Sequence, residues 1–417
     1  MKETHLKKMA SVAKAAAFET AKASLQQKNE ALRVLIENLK KHKESILHAN
    51  QQDISFAREA GLSAPLLERL SLDNRLEAMM HDIAHVIALP DPIGGLFEEQ
   101  NLSNQLKIAK CRIPIGVLGV IYESRPNVTL DISMLTIKSG NCAILRGGSE
   151  TLHTNQVLVD VIQQSLATAN LPREAIQLIA NADRGEVKEL LQLHECIDLI
   201  IPRGGAALQQ FCREHSTIPV ITGGIVICHL FVDETADQKR VLEVIHNAKT
   251  QRPTVCNALD TILVHAAIAP CFILKVVQSL SKEGVTFRLD SKAAELCQDP
   301  SCQLAESKDW DTEWLSLILG IKVVENLEEA MRHIQVHSTG HSDGILTEND
   351  QHAEIFIKNI DSAAVYVNAS TRFTDGGEFG LGTEVAISTQ KLHARGPMGL
   401  KELTSYKWII KGDYQVR

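Results

Sequence analysis

Hydrophobic and polar positions follow a helical period through roughly the first hundred residues of the chain. Four apolar residues in one charged segment lie three or four positions apart, which places them on one helix face: Leu32, Leu35, Ile36 and Leu39. The run Leu89-Pro90-Asp91-Pro92 interrupts this pattern as a turn. The chain is therefore predicted to open with a series of helices.

The pattern changes near Arg112, where apolar runs of strand length alternate with helical segments. These runs are residues 117–122, 142–145 and 199–201, and polar or glycine-rich turns follow them at residues 123–127, 146–150 and 202–205. Such alternation is typical of buried parallel strands joined by crossover helices. Ligands bind beyond the carboxyl ends of parallel strands, so we expect these turns to line one crevice.

A second strand-and-helix series begins near Val226 and extends to about Leu346. Two further segments differ from it, because residues 104–110 alternate with period two and residues 406–410 are strand-like. Exposed strands leave backbone groups unpaired and usually acquire a partner. We expect that partner to be another subunit.

Length and composition restrict the class of protein. A chain of 417 residues is too long for one hydrophobic core, so two or three lobes are expected. The net charge of -8 disfavours nucleic acid or an anionic membrane as a partner, since both bind clustered positive charge. No run approaches the roughly 18 apolar residues of a membrane helix. The nine cysteines lack the spacing of zinc or disulfide scaffolds. We therefore expect a soluble cytoplasmic enzyme with reduced thiols.

Cys256 is a candidate nucleophile. It follows the polar residues 247–252 and precedes a strand-like run at residues 259–264. Lys249 and Arg252 on this loop favour a thiolate, the form of cysteine that attacks carbonyl carbon. The alternative is that Cys256 is one more small packed residue.

Paired glycines occur in two of the predicted turns. Gly147-Gly148 follows Arg146, and Gly204-Gly205 follows Arg203. Glycine lets the backbone approach a phosphate or a ring closely, and an arginine beside a helix N-terminus adds positive charge. An ordinary tight turn explains each pair equally well, and the sequence lacks the Gly-x-Gly-x-x-Gly dinucleotide motif.

His333, His337 and His341 recur every fourth residue, a spacing that favours a metal site along one side of a helix. Gly340 interrupts that helix, and no nearby carboxylate completes a ligand set. We therefore predict a solvated histidine face and no metal. Carboxylates are numerous, and their spacing alone identifies no acid–base pair.

Two segments near the end of the chain, residues 368–382 and 391–400, are rich in glycine, hydroxyl and arginine residues. They follow a buried-looking run at residues 365–367. This composition is suited to a site for an anionic substrate. Structural turns account for the glycines but not for the arginines.

Taken together, these segments resemble the gamma-glutamyl phosphate reductases, a family of the aldehyde dehydrogenase superfamily. The resemblance covers essentially the whole chain and depends on residues 115–129, 144–148, 201–205, 216–224, 247–257 and the two terminal segments. It implies an α/β, aldehyde dehydrogenase-like fold with a doubly wound NADP-binding domain, a smaller α/β catalytic domain and a β oligomerisation arm. The implied cofactor-binding domain is residues 1–103 and 118–230, and residues 365–386 are a candidate segment in which the chain returns to this domain. The implied catalytic domain is 231–364, and the arm is 104–117 with 387–417.

The resemblance also implies functional residues. Cys256 takes the position of the thiol nucleophile, and the Asn127 side chain with the Cys256 backbone N–H is the expected oxyanion donor set. The expected cofactor-binding residues are Arg146, Gly147, Gly148, Glu150, Gly204, Gly205 and Glu313. The expected substrate-binding residues are Arg125, Arg252, Ser370, Thr371, Arg372 and Arg395. A structural ion pair is the alternative for each arginine.

The implied reaction is the NADPH-dependent reduction of L-glutamyl 5-phosphate to L-glutamate 5-semialdehyde in L-proline biosynthesis. Phosphate leaves as a thioacyl intermediate forms on the cysteine. The alternatives are an oxidative NAD(P)-dependent semialdehyde dehydrogenase and a non-catalytic superfamily member. The expected partners are the small substrate and further copies of the chain, and an association with glutamate 5-kinase stays open.

Two positions depart from related patterns. The family commonly has lysine after the first paired glycines, where this chain has Ser149, so the preference for NADPH over NADH stays open. Hydrolytic aldehyde dehydrogenases carry a glutamate base before a glycine pair, where this chain has Val220-Ile221-Thr222. The absence of that base suits a thioester that must survive until hydride arrives.

Overall fold

The computed structural model describes residues 4–73, 75–123, 125–181 and 184–417, with all their side chains except those of Ala64, Pro65 and Arg184. Ser124, in the turn predicted after the first buried strand, lies outside the described residues. The chain divides into two compact units. Unit 1 is Met1–Thr222, Gly380–Ala386 and Pro397–Arg417, and unit 2 is Gly223–Phe379 and Ile387–Gly396.

Over the described residues the helices are, in chain order, α1 (His5–Thr20), α2 (Leu25–Lys41), α3 (Lys43–Glu59), α4 (Ala64–Leu70), α5 (Leu76–Ala88), α6 (Asn127–Lys138), α7 (Leu152–Thr168), α8 (Arg184–Leu190), α9 (Ala206–His215), α10 (Gln238–Thr250), α11 (Ala269–Leu280), α12 (Ser291–Leu296), α13 (Leu327–His337) and α14 (Asp350–Asn359). Within this part of the chain, no helix is both long and apolar enough to cross a membrane.

The strands, again over the described residues, are β1 (Leu96–Asn101), β2 (Lys107–Pro114), β3 (Val117–Tyr122), β4 (Cys142–Arg146), β5 (Ile176–Leu178), β6 (Leu199–Arg203), β7 (Cys228–Val232), β8 (Leu259–His265), β9 (Thr286–Leu289), β10 (Cys302–Leu304), β11 (Ile318–Val324), β12 (Ser342–Leu346), β13 (Ala364–Val367), β14 (Ile387–Ser388), β15 (Gly396–Pro397) and β16 (Thr404–Lys411).

The helical start of unit 1 confirms the prediction from periodicity. In α2, Ser24 and Gln27 form a capping box, in which each side chain bonds the backbone N–H of the other residue. The same helix buries Leu32, Leu35 and Leu39, the face that the apolar spacing predicts. Burial of this face, together with the cap, holds α2 in place.

A four-stranded parallel sheet in unit 1 has the order β5-β4-β3-β6. Val117 pairs with Cys142 on one side of β3, and Leu118 pairs with Leu199 on the other. All six residues of β3 are buried, as expected for a central strand covered on both faces. The carboxyl ends of β3, β4 and β6 therefore lie at one edge of this sheet.

Unit 1 also contains an antiparallel sheet of order β1-β2-β16. Strand β16 pairs with β2 along its full length, and Tyr406, Trp408 and Ile410 stay roughly half exposed. The predicted arm at residues 104–117 differs at both ends. Strand β1 begins at Leu96, because Leu96 and Phe97 pair with β2 ahead of a register shift at Glu98 and Glu99, and Val117 belongs to β3.

Unit 2 is built on a seven-stranded sheet of order β10-β9-β11-β8-β7-β12-β13, in which every neighbouring pair is parallel. Strand β13 lies at the edge beside β12, so residues 364–367 belong to this sheet and not to the cofactor-binding unit. Of the candidate return at 365–386, only Gly380–Ala386 joins unit 1. The units separate at Thr222 and Gly223, earlier than the predicted boundary at 230.

Candidate active site

The Cys256 loop, residues 251–258, joins α10 to β8 in unit 2. Helix α10 ends at Thr250, shortly before Pro253, whose ring and missing N–H prevent helix continuation. Cys256 is half-buried, and its carbonyl oxygen accepts a hydrogen bond from the Sγ of the buried Cys228 at 3.4 Å. Burial raises the pKa of the Cys228 thiol well above its usual value, so this sulfur stays protonated as the donor.

Lys249 does not lie on this loop, because α10 turns its side chain into the protein. The side chain is fully buried, and its Nζ donates to the Leu259 carbonyl oxygen at 2.9 Å. Burial lowers the pKa of Lys249 to about 8, against the opposing charge of Asp260. Arg252 is exposed on the loop.

Arg372 is a second cation close to Cys256. Burial and the nearby charge of Arg252 lower the pKa of Arg372. The negative charges of Asp375 and Cys256 act in the opposite direction and raise it. The Arg372 Nε donates to the Gln251 Oε1 at 3.0 Å, and its Nη1 donates to the Asn257 Oδ1. The tail that carries Arg372 is therefore attached to the Cys256 loop.

Ser370 and Thr371 are buried beside this attachment. The Thr371 Oγ1 donates to the Asn257 carbonyl oxygen at 2.8 Å, and the Ser370 Oγ accepts the backbone N–H of Arg372 at 3.3 Å. Both hydroxyls therefore serve the geometry of the tail, and the structure brings Arg252, Ser370, Thr371 and Arg372 to one region of unit 2.

Glu313 lies near the buried carboxylate of Asp260, in the same unit as Cys256. Asp260 is 3% exposed, and its two oxygens accept the backbone N–H groups of Cys228 and Trp314, each at 3.1 Å. Burial raises the pKa of Asp260 to about 6, although Lys249 lowers it. Burial and the nearby Asp260 raise the pKa of Glu313 to about 7. Asp260 thus holds the backbone of Cys228 and that of Trp314, the residue after Glu313.

Arg395 lies apart from these residues, in a structural ion pair. Its Nη1 donates to the Asp361 Oδ1 at 2.7 Å and its Nη2 to the Asp361 carbonyl oxygen at 2.6 Å. Lys391 also contacts the Asp361 carboxylate. This geometry favours the structural alternative for Arg395.

The three spaced histidines have separate partners. His333 lies against Lys322, His337 pairs with Asp311, and His341 contacts the Ser342 hydroxyl. Helix α13 ends at His337, so helical spacing does not extend to His341. His333 and His341 are buried, in contrast to the predicted solvated face.

A cavity of about 810 Å³ in unit 1 lies beyond the carboxyl ends of β3 and β4. The predicted cofactor residues Arg146, Gly148 and Glu150 line it, together with Ser149 and Glu123. Its apolar lining includes Phe56, Ala57, Leu208 and Phe211 from α3 and α9. A cleft of this size with few polar groups fits a nucleotide. Two of the three predicted turns contribute to its lining, and the third, residues 202–205, contributes none of the described lining residues.

Close packing explains the glycines in these turns. A Cβ on Gly147 would lie 2.2 Å from the Asn155 Nδ2 and 3.2 Å from the Tyr122 ring. A Cβ on Gly204 would lie 2.4 Å from the Glu123 Oε2, the same oxygen that accepts the Gly205 N–H. Side chains at these positions would therefore displace Asn155, Tyr122 and Glu123, of which Glu123 lines the cavity.

Asn127 is the first residue of α6 in unit 1. Its Nδ2 donates to the Asp131 Oδ2 at 2.9 Å, one helical turn further on. Burial raises the pKa of Asp131 to about 7, while this bond opposes the rise. Arg125 lies exposed in the turn before α6.

Sequence reasoning did not identify Gln251, Asn257, Asp131 or Asp260. Two of them carry a signal, since Asn257 follows Cys256 directly and Asp260 is a charge inside an apolar strand. The partners of Gln251 and Asn257 lie more than a hundred residues away in the chain, which no local pattern indicates.

Known proteins define the class of this chain. Residues 1–294 match the model of the aldehyde dehydrogenase family. The crystal structure of gamma-glutamyl phosphate reductase from Thermotoga maritima has a TM-score of 0.97 at 46% identity, covering 99% of this chain and 100% of that one. The chain belongs to the aldehyde dehydrogenase family, whose members use a nicotinamide cofactor.

Curated relatives narrow this class. The gamma-glutamyl phosphate reductase of Psychromonas ingrahamii is 52% identical and that of Pasteurella multocida 51% identical, each over 99% of both chains. Within the aldehyde dehydrogenase family the chain therefore groups with the gamma-glutamyl phosphate reductases. The resemblance drawn from the sequence motifs and the predicted fold class are both confirmed.

Proposed function

We propose that this protein reduces L-glutamyl 5-phosphate to L-glutamate 5-semialdehyde with NADPH and releases phosphate, a step of L-proline biosynthesis. The observation that carries the proposal is a half-buried cysteine on a loop next to a partly buried arginine, in a chain about half identical to gamma-glutamyl phosphate reductases. A thiol nucleophile beside a cation suits an acyl phosphate substrate.

Cys256 is the nucleophile of this reaction. Its thiolate attacks the acyl carbon of the substrate, and the carbon–oxygen bond to phosphate breaks, which leaves a thioester on Cys256. The nicotinamide cofactor, when bound, supplies the hydride that reduces this thioester. Collapse of the resulting thiohemiacetal expels the Cys256 thiolate and releases the aldehyde.

Two donors stabilise the negative charge that develops on the acyl oxygen in both tetrahedral steps. They are the backbone N–H of Cys256 and the Nδ2 of Asn127, which keeps a second N–H while the first bonds Asp131. Removal of one donor of this kind typically costs about 3 kcal/mol of transition-state stabilisation.

The residues before Gly223 carry no general base that could activate water to hydrolyse the thioester. Ile221 and Thr222 are each 1% exposed, and the Thr222 Oγ1 accepts a hydrogen bond from Arg213. Neither side chain can activate water, so the acyl enzyme persists until hydride arrives.

The unit 1 cavity is the proposed NADPH site. Arg146, Gly148, Ser149 and Glu150 line it beside an apolar wall, so the residues present fit a dinucleotide. Arg146 and Glu150 hold the adenosine ribose, Gly148 and Gly205 admit the phosphates, and Glu313 holds the nicotinamide ribose.

The remaining assignments belong to the same proposal. Arg125, Arg252 and Arg372 bind the anionic groups of the substrate, Ser370 and Thr371 contact its α-amino end, and Arg395 orders their segment. The enzyme acts in the cytoplasm as a homo-oligomer, supported by the half-exposed face of β16 that carries Tyr406, Trp408 and Ile410. Association with glutamate 5-kinase would protect the labile acyl phosphate during transfer.

The reaction in reverse tests the proposal. Glutamate 5-semialdehyde, NADP and phosphate are mixed with enzyme, and the absorbance of reduced cofactor is followed. We expect phosphate-dependent reduction of NADP in the wild type and none in Cys256→Ala. Cys271→Ala is the matched control, because Cys271 is exposed on α11, and it should keep wild-type activity.

Two outcomes would contradict the proposal. Reduction of NADP without phosphate would assign the protein as an oxidative semialdehyde dehydrogenase. Full activity in Cys256→Ala would show that another group is the nucleophile.

A further inference from the structure

The guanidinium of Arg372 is held by the Cys256 loop from both sides of the cysteine. Gln251 begins this loop and accepts from the Arg372 Nε at 3.0 Å. Asn257 follows Cys256 directly and accepts from the Arg372 Nη1 with its Oδ1. Two side chains that flank the nucleophile in sequence therefore fix one cation beside it.

Asn257 can present only its oxygen to Arg372. Its Nδ2 donates to the carbonyl oxygens of Thr374 at 2.9 Å and Arg372 at 3.2 Å, and the side chain is 3% exposed. A flipped amide would place its oxygen against two carbonyl acceptors, which is unfavourable for a buried group. The orientation of the Asn257 oxygen, and with it the position of Arg372, is thereby determined.

Arg372 keeps donors for a ligand. Among the described residues, its Nη2 makes no hydrogen bond and its guanidinium makes no salt bridge. The nearby Asp375 carboxylate instead accepts the backbone N–H groups of Gly377 and Glu378. Arg395 differs, because Asp361 takes donors from both of its Nη atoms.

A second arginine adds to the positive charge at this place. Arg252 lies close enough to lower the pKa of Arg372, which shows that the two cations repel each other. Arg372 is also partly desolvated. Two neighbouring cations with one partly removed from water are stabilised by a bound anion.

We propose that Gln251 and Asn257 are positioning residues that hold the Arg372 guanidinium beside Cys256 so that it binds the phosphate group of the substrate. This inference rests on the proposed reduction of an acyl phosphate. That phosphate is bonded directly to the carbon that Cys256 attacks, whereas the α-carboxylate is at the far end of the substrate. The cation fixed next to the nucleophile therefore faces the leaving group.

The test measures KM for phosphate and KM for glutamate 5-semialdehyde separately in the reverse reaction. The variants are Gln251→Ala and Arg372→Lys, which keeps the charge but loses the planar fork that reaches both acceptors. The matched control is Gln238→Ala, since Gln238 is a glutamine at the opposite end of α10 that bonds Lys275. Melting temperatures establish that each variant is folded.

We expect KM for phosphate to rise about tenfold in Gln251→Ala, the loss expected for one hydrogen bond to a charged group. The rise should be larger in Arg372→Lys and absent in Gln238→Ala. The KM for glutamate 5-semialdehyde should stay within about twofold of wild type in every variant, which a merely structural disturbance of the loop would not allow.

Each other result has one meaning. An unchanged KM for phosphate in both variants overturns this inference, as does an equal rise in both KM values. A selective rise in KM for the semialdehyde would assign Arg372 to the α-carboxylate and also overturn it. Wild-type enzyme without phosphate-dependent activity would instead refute the proposed function itself.

Discussion

Gly147 gives the sharpest stability prediction for the cofactor-binding unit. In Gly147→Ala the new Cβ would lie 2.2 Å from the Asn155 Nδ2 and 3.2 Å from the Tyr122 ring. Both neighbours are buried and bonded, because Asn155 donates to Thr151 and accepts from Thr129. The alanine therefore cannot be accommodated by a rotation into solvent.

The magnitude follows from these contacts. Overpacking in a filled interior costs about 1–3 kcal/mol. Displacement of Asn155 weakens two buried hydrogen bonds, each worth about 1 kcal/mol. We expect Gly147→Ala to lower the free energy of unfolding by about 3 kcal/mol and to weaken NADPH binding, since the adjacent Gly148 lines the cavity.

Gly205 is the matched control. A Cβ at Gly205 would meet no atom within 4 Å, and its φ of -65° suits alanine. Gly205→Ala should therefore cost no more than about 1 kcal/mol, the preference for glycine over alanine at the N-cap of α9. Urea unfolding followed by circular dichroism measures all three proteins. Equal stability of the two variants would refute the packing argument.

Three further predictions concern charge. Asp131 keeps its proton up to about pH 7 in the folded protein, whereas the unfolded chain releases it near pH 4. The stability of the wild type relative to Asp131→Asn should therefore fall as pH rises from 4 to 7. The expected loss is about 2 kcal/mol, because the carboxyl is partly exposed. Burial lowers the pKa of His341 to about 4. The stability of the wild type relative to His341→Gln should therefore fall by about 3 kcal/mol as pH drops from 6.5 to 4. Urea titrations at several pH values measure both dependences, and a free energy of unfolding that changes equally with pH in wild type and variant would contradict the prediction for that variant. Ser149→Lys should raise the preference for NADPH over NADH about fivefold, because it adds a cation to the cavity lining, and an unchanged ratio of kcat/KM values would show that the 2′-phosphate lies elsewhere.

The sequence was sufficient for features that depend on local pattern. Apolar runs of strand length became β3, β4, β6 and β8, and their spacing predicted parallel sheets with turns gathered at one edge. The polar loop between an amphipathic helix and a buried strand predicted the setting of Cys256. These features depend on residues that are close together in the chain, so the sequence alone is enough to predict them.

Features that depend on side-chain partners far away in the chain could not be predicted from the local sequence pattern. Arg372 and Arg395 occupy similar polar segments, yet Arg372 meets the Cys256 loop while Arg395 meets Asp361. Lys249 was expected beside Cys256, but the phase of α10 buries it. Strand β1 is mostly polar and carries little strand signal, because its pairing with β2 and not burial holds it in the sheet.

The thioacyl enzyme on Cys256 is the central claim, and mass spectrometry tests it most directly. Enzyme is mixed with glutamate 5-semialdehyde and NADP without phosphate, quenched rapidly in acid, digested and analysed. We predict a glutamyl adduct on the peptide that contains Cys256, formed with a burst of reduced cofactor equal to the enzyme and lost when phosphate is added. A burst without an adduct on Cys256, or an adduct on another residue, would contradict the account.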